Sequence, residues 1–341
     1  MLTYTALIPK NIALPEAKRI GIYNSRGNRV GFIPLGPLTV PGTGQKQYSF
    51  GALSDVHMTY PTAESDFRRA LTWLNEAEKV AFTCICGDLT ASGAAEELEQ
   101  YKAAVDTYST GAPVYAISGN HECYDTGTAT TAQLEPYTGQ PLYYFFTHGN
   151  DVFIMVGCCR AVAGEIFTEA ELQWLYETLE ENRNKRCFVF QHAFPRGDSG
   201  NAMDAYAGGD LVTGTKGDVF KSLLRHYKNT VFFHGHSHLK YYLQEVDEKA
   251  NYSEDSGYRS VHISSLAVPR DIVDGTLTEV YGGSEGYVVD VYENGIHLRG
   301  RDFAAGTSLP IASYWIGTTL QTISANTYSD TAGLIKTSQE I

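Results

Sequence analysis

No stretch of the 341-residue chain reaches the roughly 18 consecutive apolar residues that a membrane-spanning helix needs, so a membrane-embedded protein is not expected. Cysteine is scarce. Six residues with no C-x-x-C pair argue against a disulfide scaffold and against a zinc site built from thiolates. Cys84 and Cys86 alternate within the apolar run V-A-F-T-C-I-C, and Cys158 and Cys159 close a second; there cysteine serves as a small buried hydrophobe. Positive charge is also in deficit, with 26 Lys+Arg against 39 Asp+Glu and a net charge of −13. Such a chain offers no broad basic surface for duplex nucleic acid or anionic lipid, although a local positive pocket or a bound metal remains compatible. Residues 1–9 lack a basic patch, a long apolar stretch and a small-residue cleavage site, so the expected location is cytoplasmic. Hydrophobic residues make up 43% and charged ones 19%, enough burial to offset ordering entropy in a soluble globular protein.

What the chain does contain is a change of regime near Tyr48. Residues 1–47 read as a β-rich extension of short strands and turns, with no helical period. From there strands and helices alternate. Strand 48–54 is followed by a helix over 64–79 with Phe67, Ala70, Leu71, Leu74 and Ala77 on one face. Strand 80–86, helix 94–108 and strand 113–118 follow, then strand 152–158, helix 168–182, strand 187–191, helix 218–227 and strand 230–233. Thr168 with Glu171 three residues on forms a capping box for its helix. Such alternation predicts α/β layering with much parallel pairing. Beyond 258 only strands are read (260–264, 286–292 and 295–303), the last two joined at Glu293-Asn294-Gly295. Residues 304–341 read as a polar tail packed on or fraying from the core, and the Gly-rich stretch 197–217 as a long functional loop.

Five polar clusters fall at the ends of these strands: Asp55-Val56-His57, Gly87-Asp88, Gly119-Asn120-His121-Glu122, Gln191-His192 and Gly235-His236-Ser237-His238. Ligands of α/β sheets bind beyond the carboxyl ends of the strands, so five such clusters converge on one crevice. Their oxygens and imidazoles suit Zn, Mn or Fe. Asp-x-His and His-x-His are expected to place two ligands on one side of an extended backbone. A carboxylate such as Asp88 can bridge two cations, and two ions about 3.5–4 Å apart clamp a phosphoryl group and activate a shared water as hydroxide.

The set resembles the calcineurin-like metallophosphoesterases, whose blocks D-x-H, G-D, G-N-H-[DE], H and G-H-x-H all occur here in order over residues 48–303. The resemblance implies a layered α/β/β/α sandwich of two mixed sheets, with a dinuclear metal site at strand C-terminal ends. It implies Asp55, His57 and His238 on one metal, Asn120, His192 and His236 on the other, and Asp88 between them. His121 would face the scissile phosphate and protonate the leaving oxygen, with Glu122 orienting it. The metals would be two divalent or mixed-valence ions of Mn, Zn or Fe. Purple acid phosphatases place a Tyr three residues after the G-D carboxylate; Ala91 stands there, so no Fe(III)–tyrosinate is expected. A Leu-Asp-Ser of many bacterial class III members is replaced by Cys158-Cys159-Arg160, while Gly87-Asp88-Leu89-Thr90 is similar to class III cyclic-nucleotide phosphodiesterases.

For substrate contacts, Arg160, Arg196 and Arg270 are candidates to meet a phosphate through a planar fork, and Tyr124 and Tyr206 are candidates for the pocket wall. The expected partner is a small phosphodiester or phosphomonoester rather than a polymer, because counterion release along a polyanion adds little affinity to an acidic chain. A nuclease or a protein phosphatase using the same site, and a non-catalytic binding protein on the same scaffold, are the competing classes. Intactness separates the last of these, and all seven ligand positions and His121 are present.

Overall fold

The layers follow from alternation along the strands. In Cys187–Gln191, Phe188 and Phe190 point to one core while Cys187 and Val189 point to another, the period of two that pleating imposes. In Asp151–Val156, Phe153 and Met155 face the first core and Val152, Ile154 and Val156 the second. A strand apolar on both faces has to be covered on both. The computed structural model describes residues 19–23, 29–34, 44–196, 198–200, 211–245, 249–273, 276–318, 328–330 and 332–336.

A hairpin of β1 (Arg19–Tyr23) and β2 (Arg29–Pro34) precedes β3 (Lys46–Leu53). The order continues α1 (Ala63–Trp73), β4 (Thr83–Cys86), α2 (Ala95–Tyr108), β5 (Val114–Ile117), α3 (Thr131–Thr138), β6 (Tyr143–His148) and β7 (Asp151–Val156). Then come α4 (Glu169–Glu181), β8 (Cys187–Gln191), α5 (Gly214–His226), β9 (Thr230–His234), β10 (Tyr252–Ser253) and β11 (Arg259–His262). The strands β12 (Arg270–Val273), β13 (Thr276–Glu279), β14 (Glu285–Tyr292), β15 (Gly295–Asp302) and β16 (Thr307–Gly317) complete the order.

Two six-stranded sheets result, β10-β11-β9-β8-β7-β6 and β16-β15-β14-β3-β4-β5. Each is mixed: β3, β4 and β5 run parallel, as do β7, β8, β9 and β11, and the remaining pairings, of β6, β10, β14, β15 and β16, are antiparallel. Between the sheets lies an aromatic layer. Phe50 meets Phe153 edge-on at 5.2 Å, Phe153 stacks on Phe188 at 4.8 Å, and Phe190 on Phe233 at 4.9 Å. Truncating one such ring to Ala costs about 3–5 kcal/mol. Outside, α4 and α5 cover the first sheet and α1 and α2 the second, giving the α/β/β/α sandwich. All six cysteines are buried and unpaired. No helix among the described residues is long and apolar enough to cross a membrane.

Several boundaries differ from the sequence reading. The helix expected over 64–79 is regular only to Trp73, continues as a wide π turn over Leu74–Glu78, and ends at Lys79 with φ 53°. Helix α3, which carries Pro136, and the strands β6, β12 and β13 were not read. Residues 304–341 are more than a tail, since β16 pairs antiparallel with β15 along its length. Further on, Tyr328 and Ile335 pack against α4 and α5. Of the expected loop 197–217, residues 197 and 201–210 lie outside the described residues, and α5 already begins at Gly214.

Candidate metal centre

The parallel strands of both sheets deliver their carboxyl ends to one edge of the sandwich. Asp55 and His57 follow β3, Asp88 follows β4, Asn120 and His121 follow β5, His192 follows β8, and His236 and His238 follow β9. The expected extended backbone is not what holds the paired ligands. Asp55 (φ 56°), His57 (45°), Asp88 (50°), His236 (73°) and His238 (60°) all adopt left-handed conformations, each costing a non-glycine residue about 1–3 kcal/mol. Such strain persists only where neighbours over-determine it. Here backbone bonds lock the loops together: Asp55 N–H donates to Gly87 O (3.1 Å), His57 N–H to Asp88 O (3.0 Å) and Gly235 N–H to His192 O (3.0 Å). Close approach demands glycine at two motif positions. A Cβ on Gly119 would stand 2.1 Å from Asp88 Oδ1, and one on Gly235 would stand 2.5 Å from Asp55 Oδ2.

The side chains form two clusters that share Asp88: Asp55, His57, Asp88 and His238, and Asp88, His192 and His236, with ligand atoms within 4.8 Å of one another. Each carboxylate spends one oxygen on a backbone amide and turns the other inward. Asp55 Oδ2 accepts from His236 N–H (3.2 Å) and Asp88 Oδ1 from His121 N–H (2.9 Å). Asp55 Oδ1 and Asp88 Oδ2 are buried without a hydrogen bond, as are Asn120 Oδ1 and His192 Nε2. The outer ring nitrogens fix the tautomers. His192 Nδ1–H donates to Cys86 O (2.7 Å) and His238 Nδ1–H to Val268 O (3.1 Å), leaving each Nε2 lone pair to the centre. His57 Nε2 and His238 Nε2 stand 3.0 Å apart. Asn120 Nδ2 donates to the Tyr124 hydroxyl (2.7 Å), so its amide oxygen is the atom turned inward. Asp55 Oδ1 stands 2.9 Å from His238 Nε2 and Asp88 Oδ2 3.0 Å from His192 Nε2; without a cation these contacts need a second proton on each ring, and a cation takes that proton's place. The donor set fits a pair of divalent ions.

Electrostatics agree. Burial alone would raise Asp55, but His238 and His192 outweigh it and hold the carboxyl below its usual range. Burial would likewise raise Asp88, and His192 and His121 hold it well below. Burial lowers His236 to about 3, reinforced by His192, and pushes His57 far down, reinforced by His238. Burial would lower His192 too, yet Asp88 and Asp55 bring it up to about 9, with its Nε2 3.0 Å from Asp88 Oδ2.

A cavity of about 230 Å³ opens over this cluster, lined in part by Asp88, Asn120, His121, His236 and His238. His121 Nδ1–H donates to Ala91 O (2.7 Å), and Nε2 stands 3.8 Å from Asp88 Oδ2. The orienting partner of His121 is thus the Ala91 carbonyl and not Glu122. The Glu122 carboxylate is fully buried and accepts from Thr90 N–H (2.9 Å), Thr90 Oγ1–H (2.8 Å) and Gly119 N–H (2.7 Å). It clamps the β4 loop to the β5 loop beneath the cavity.

The candidates for substrate contact separate. Tyr124 lines the cavity, and so does Arg270. Arg160 is exposed and its neighbour Ala161 lines the wall instead, because backbone bonds at Cys159 to Ala129 and Ile166 turn residue 160 outward. Arg196 is also exposed and stands outside the lining. Tyr206 lies outside the described residues. The sequence reading missed Ala161 and Leu211, small and apolar residues with no chemical signal of their own.

The family profile described as calcineurin-like phosphoesterase matches residues 48–240. A purple acid phosphatase isolated from yellow lupin (Lupinus luteus) seeds is similar in structure, with TM-score 0.52 and 16% identity over 88% of this chain and 59% of that one. The present chain therefore spans less than two thirds of that protein. GAP50, the anchor in the inner membrane complex of Plasmodium, gives TM-score 0.53 and 13% identity over 82% of this chain and 90% of that one. At such identities the likeness is one of fold. The search of curated proteins gave no match.

Proposed function

The chain belongs to the calcineurin-like phosphoesterase family, and from that premise we propose that it is a metal-dependent phosphohydrolase acting on a small phosphodiester or phosphomonoester. One observation carries the reading: buried acceptors from the four loops after β3, β4, β5 and β8 turn toward one another beneath a cavity that His121 lines. Two divalent ions of Mn, Zn or Fe suit these donors, and when bound they supply Lewis acidity at the phosphoryl oxygens and an attacking water of lowered pKa. Asp55, His57 and His238 would hold one ion, and Asn120, His192 and His236 the other. Asp88 would serve both. His121, held at Nδ1 by Ala91 O, presents Nε2 to the cavity and, with both ring nitrogens protonated, passes the Nε2 proton to the leaving oxygen. Glu122 keeps the two loops in register and takes no part in proton transfer.

The test is an activity panel of phosphomonoesters, phosphodiesters, cyclic nucleotides and single-stranded nucleic acid, with Mn, Zn and Fe supplied separately to apo-protein. Metal-dependent hydrolysis of a small ester, faster than that of any polymer, is the expected result. Protein that binds two ions yet hydrolyses nothing would instead favour a non-catalytic binding role.

A further inference from the structure

The cavity is small, about 230 Å³, against roughly 300–1,000 Å³ for sites that take drug-sized ligands. It suits one phosphoryl group and a single ring. The proton donor fixes where the leaving group lies, which is beside His121. What stands there is Tyr124, its ring centroid 4.5 Å from that of His121 and tilted by 46°. Tyr124 is 54% exposed, yet its hydroxyl is tethered to Asn120 Nδ2 at 2.7 Å, so the ring is presented to the mouth already oriented. Ala161 and Leu211 add apolar wall to the same cavity.

The charge comes from the His238 loop. Arg270 is the one Lys or Arg side chain among the described lining residues. Its amide donates to His238 O at 2.6 Å, which hangs it directly on a candidate ligand loop. Its Nη2 pairs with Glu279 Oε1 (3.3 Å), and Glu279 Oε2 accepts from the Tyr281 hydroxyl (2.9 Å). An arginine presents five donors in a planar fork of the kind that pairs with phosphoryl oxygens, and Glu279 sets its aim.

Resting on the phosphohydrolase reading above, we infer that the substrate is a phosphate ester with a flat aromatic leaving group, stacked on Tyr124, whose phosphoryl oxygens meet Arg270. Polyol esters would leave the tyrosine face wet and gain little from the apolar wall, and a methyl ester offers too little surface to cover either.

The experiment is calorimetric titration of metal-loaded protein with phenylphosphonate and methylphosphonate, two dianions that are not hydrolysed. The phenyl compound is expected to bind about tenfold tighter, the scale of one well-placed aromatic contact. Tyr124→Leu brings that ratio close to one, whereas Tyr124→Phe keeps it, because the ring and not the hydroxyl makes the contact. Arg270→Gln weakens both phosphonates by a similar factor of ten or more and leaves the ratio in place. Metal content is measured for each variant, since Tyr124 also holds Asn120; the ratio itself does not depend on the fraction of protein loaded. Equal affinities in the wild type, a ratio that survives Tyr124→Leu, or an Arg270→Gln variant that binds both as before overturns the inference alone. Fully loaded protein that binds neither phosphonate overturns the phosphohydrolase reading with it.

Discussion

His121 and Glu122 are adjacent in sequence and face opposite ways: the imidazole lines the cavity while the carboxylate is sealed beneath it. Their variants should therefore fail differently. His121→Asn keeps a polar side chain and removes the proton donor, so turnover should fall by about 10²–10⁴-fold while elemental analysis finds the metal content unchanged; loss of metal along with activity would show that His121 holds the ion. Glu122→Ala leaves the Thr90 and Gly119 amides without their acceptor, at about 1–3 kcal/mol for each buried group. Urea denaturation should show that loss even in metal-free protein, and stability equal to the wild type would contradict the clamp. At this scale the candidate ligands were legible, because Asp, Asn and His after successive strands are an improbable coincidence. Glu122 was not. A carboxylate beside a catalytic histidine reads the same whether it touches the ring or the backbone behind it. Nor does the sequence disclose that five ligand residues sit at positive φ, since none of them is a glycine.

The elements show the same split between local and tertiary signals. Helix α4 announces itself: Thr168 Oγ1 accepts from Glu171 N–H (3.0 Å), and the Glu171 side chain accepts from Thr168 N–H (3.3 Å). Glu171 is buried, however, and burial pushes its carboxyl from 4.5 up to about 8. The folded chain thus holds this proton more tightly than the unfolded chain does. Its stabilising contribution is complete below about pH 4.5 and is lost as pH rises through about 8. Glu171→Gln carries no such titration. Relative to wild type, the variant should gain stability with rising pH across that window, by at most about 1.4 kcal/mol per pH unit, and level off above it; a difference that stays flat with pH contradicts this account. Other elements were illegible for physical reasons. Pro136 sits inside α3 and argues against a helix on propensity alone. The strand β13 is mostly exposed, so no apolar alternation marks it. The strand β16 contains Pro310 and a register shift opposite Arg299 and Gly300, and only its pairing with β15 reveals it.

Over the whole molecule, the decisive feature is that parallel strands from two sheets end at a common edge, which turns distant motifs into one site. That convergence was legible from motif order; the division of strands between the sheets was not, because pairing partners lie far apart in sequence. The same convergence gathers strained backbone and buried acceptors without a hydrogen bond in one place, so metal binding is expected to add to the stability of both sheets. A ligand bound only by the folded state stabilises it by about 2.7 kcal/mol at a free concentration one hundred times its Kd. Two independent ions at that level contribute about 5 kcal/mol together. With a Tm shift of roughly 2–4 °C per kcal/mol for domains of 150–250 residues, chelation should lower Tm by on the order of 10 °C, somewhat less for this longer chain. Restoring the metal should bring the transition back, and elemental analysis of the restored protein should find two ions per chain. Seven candidate ligand residues exceed what one ion and its water need, so the stoichiometry tests the site and the melting shift tests its coupling to the fold. Chelated and loaded protein melting together would break the coupling. One ion or fewer under every metal supplied would mean that Asp88 serves a single site, with Asn120, His192 and His236 left to some other purpose.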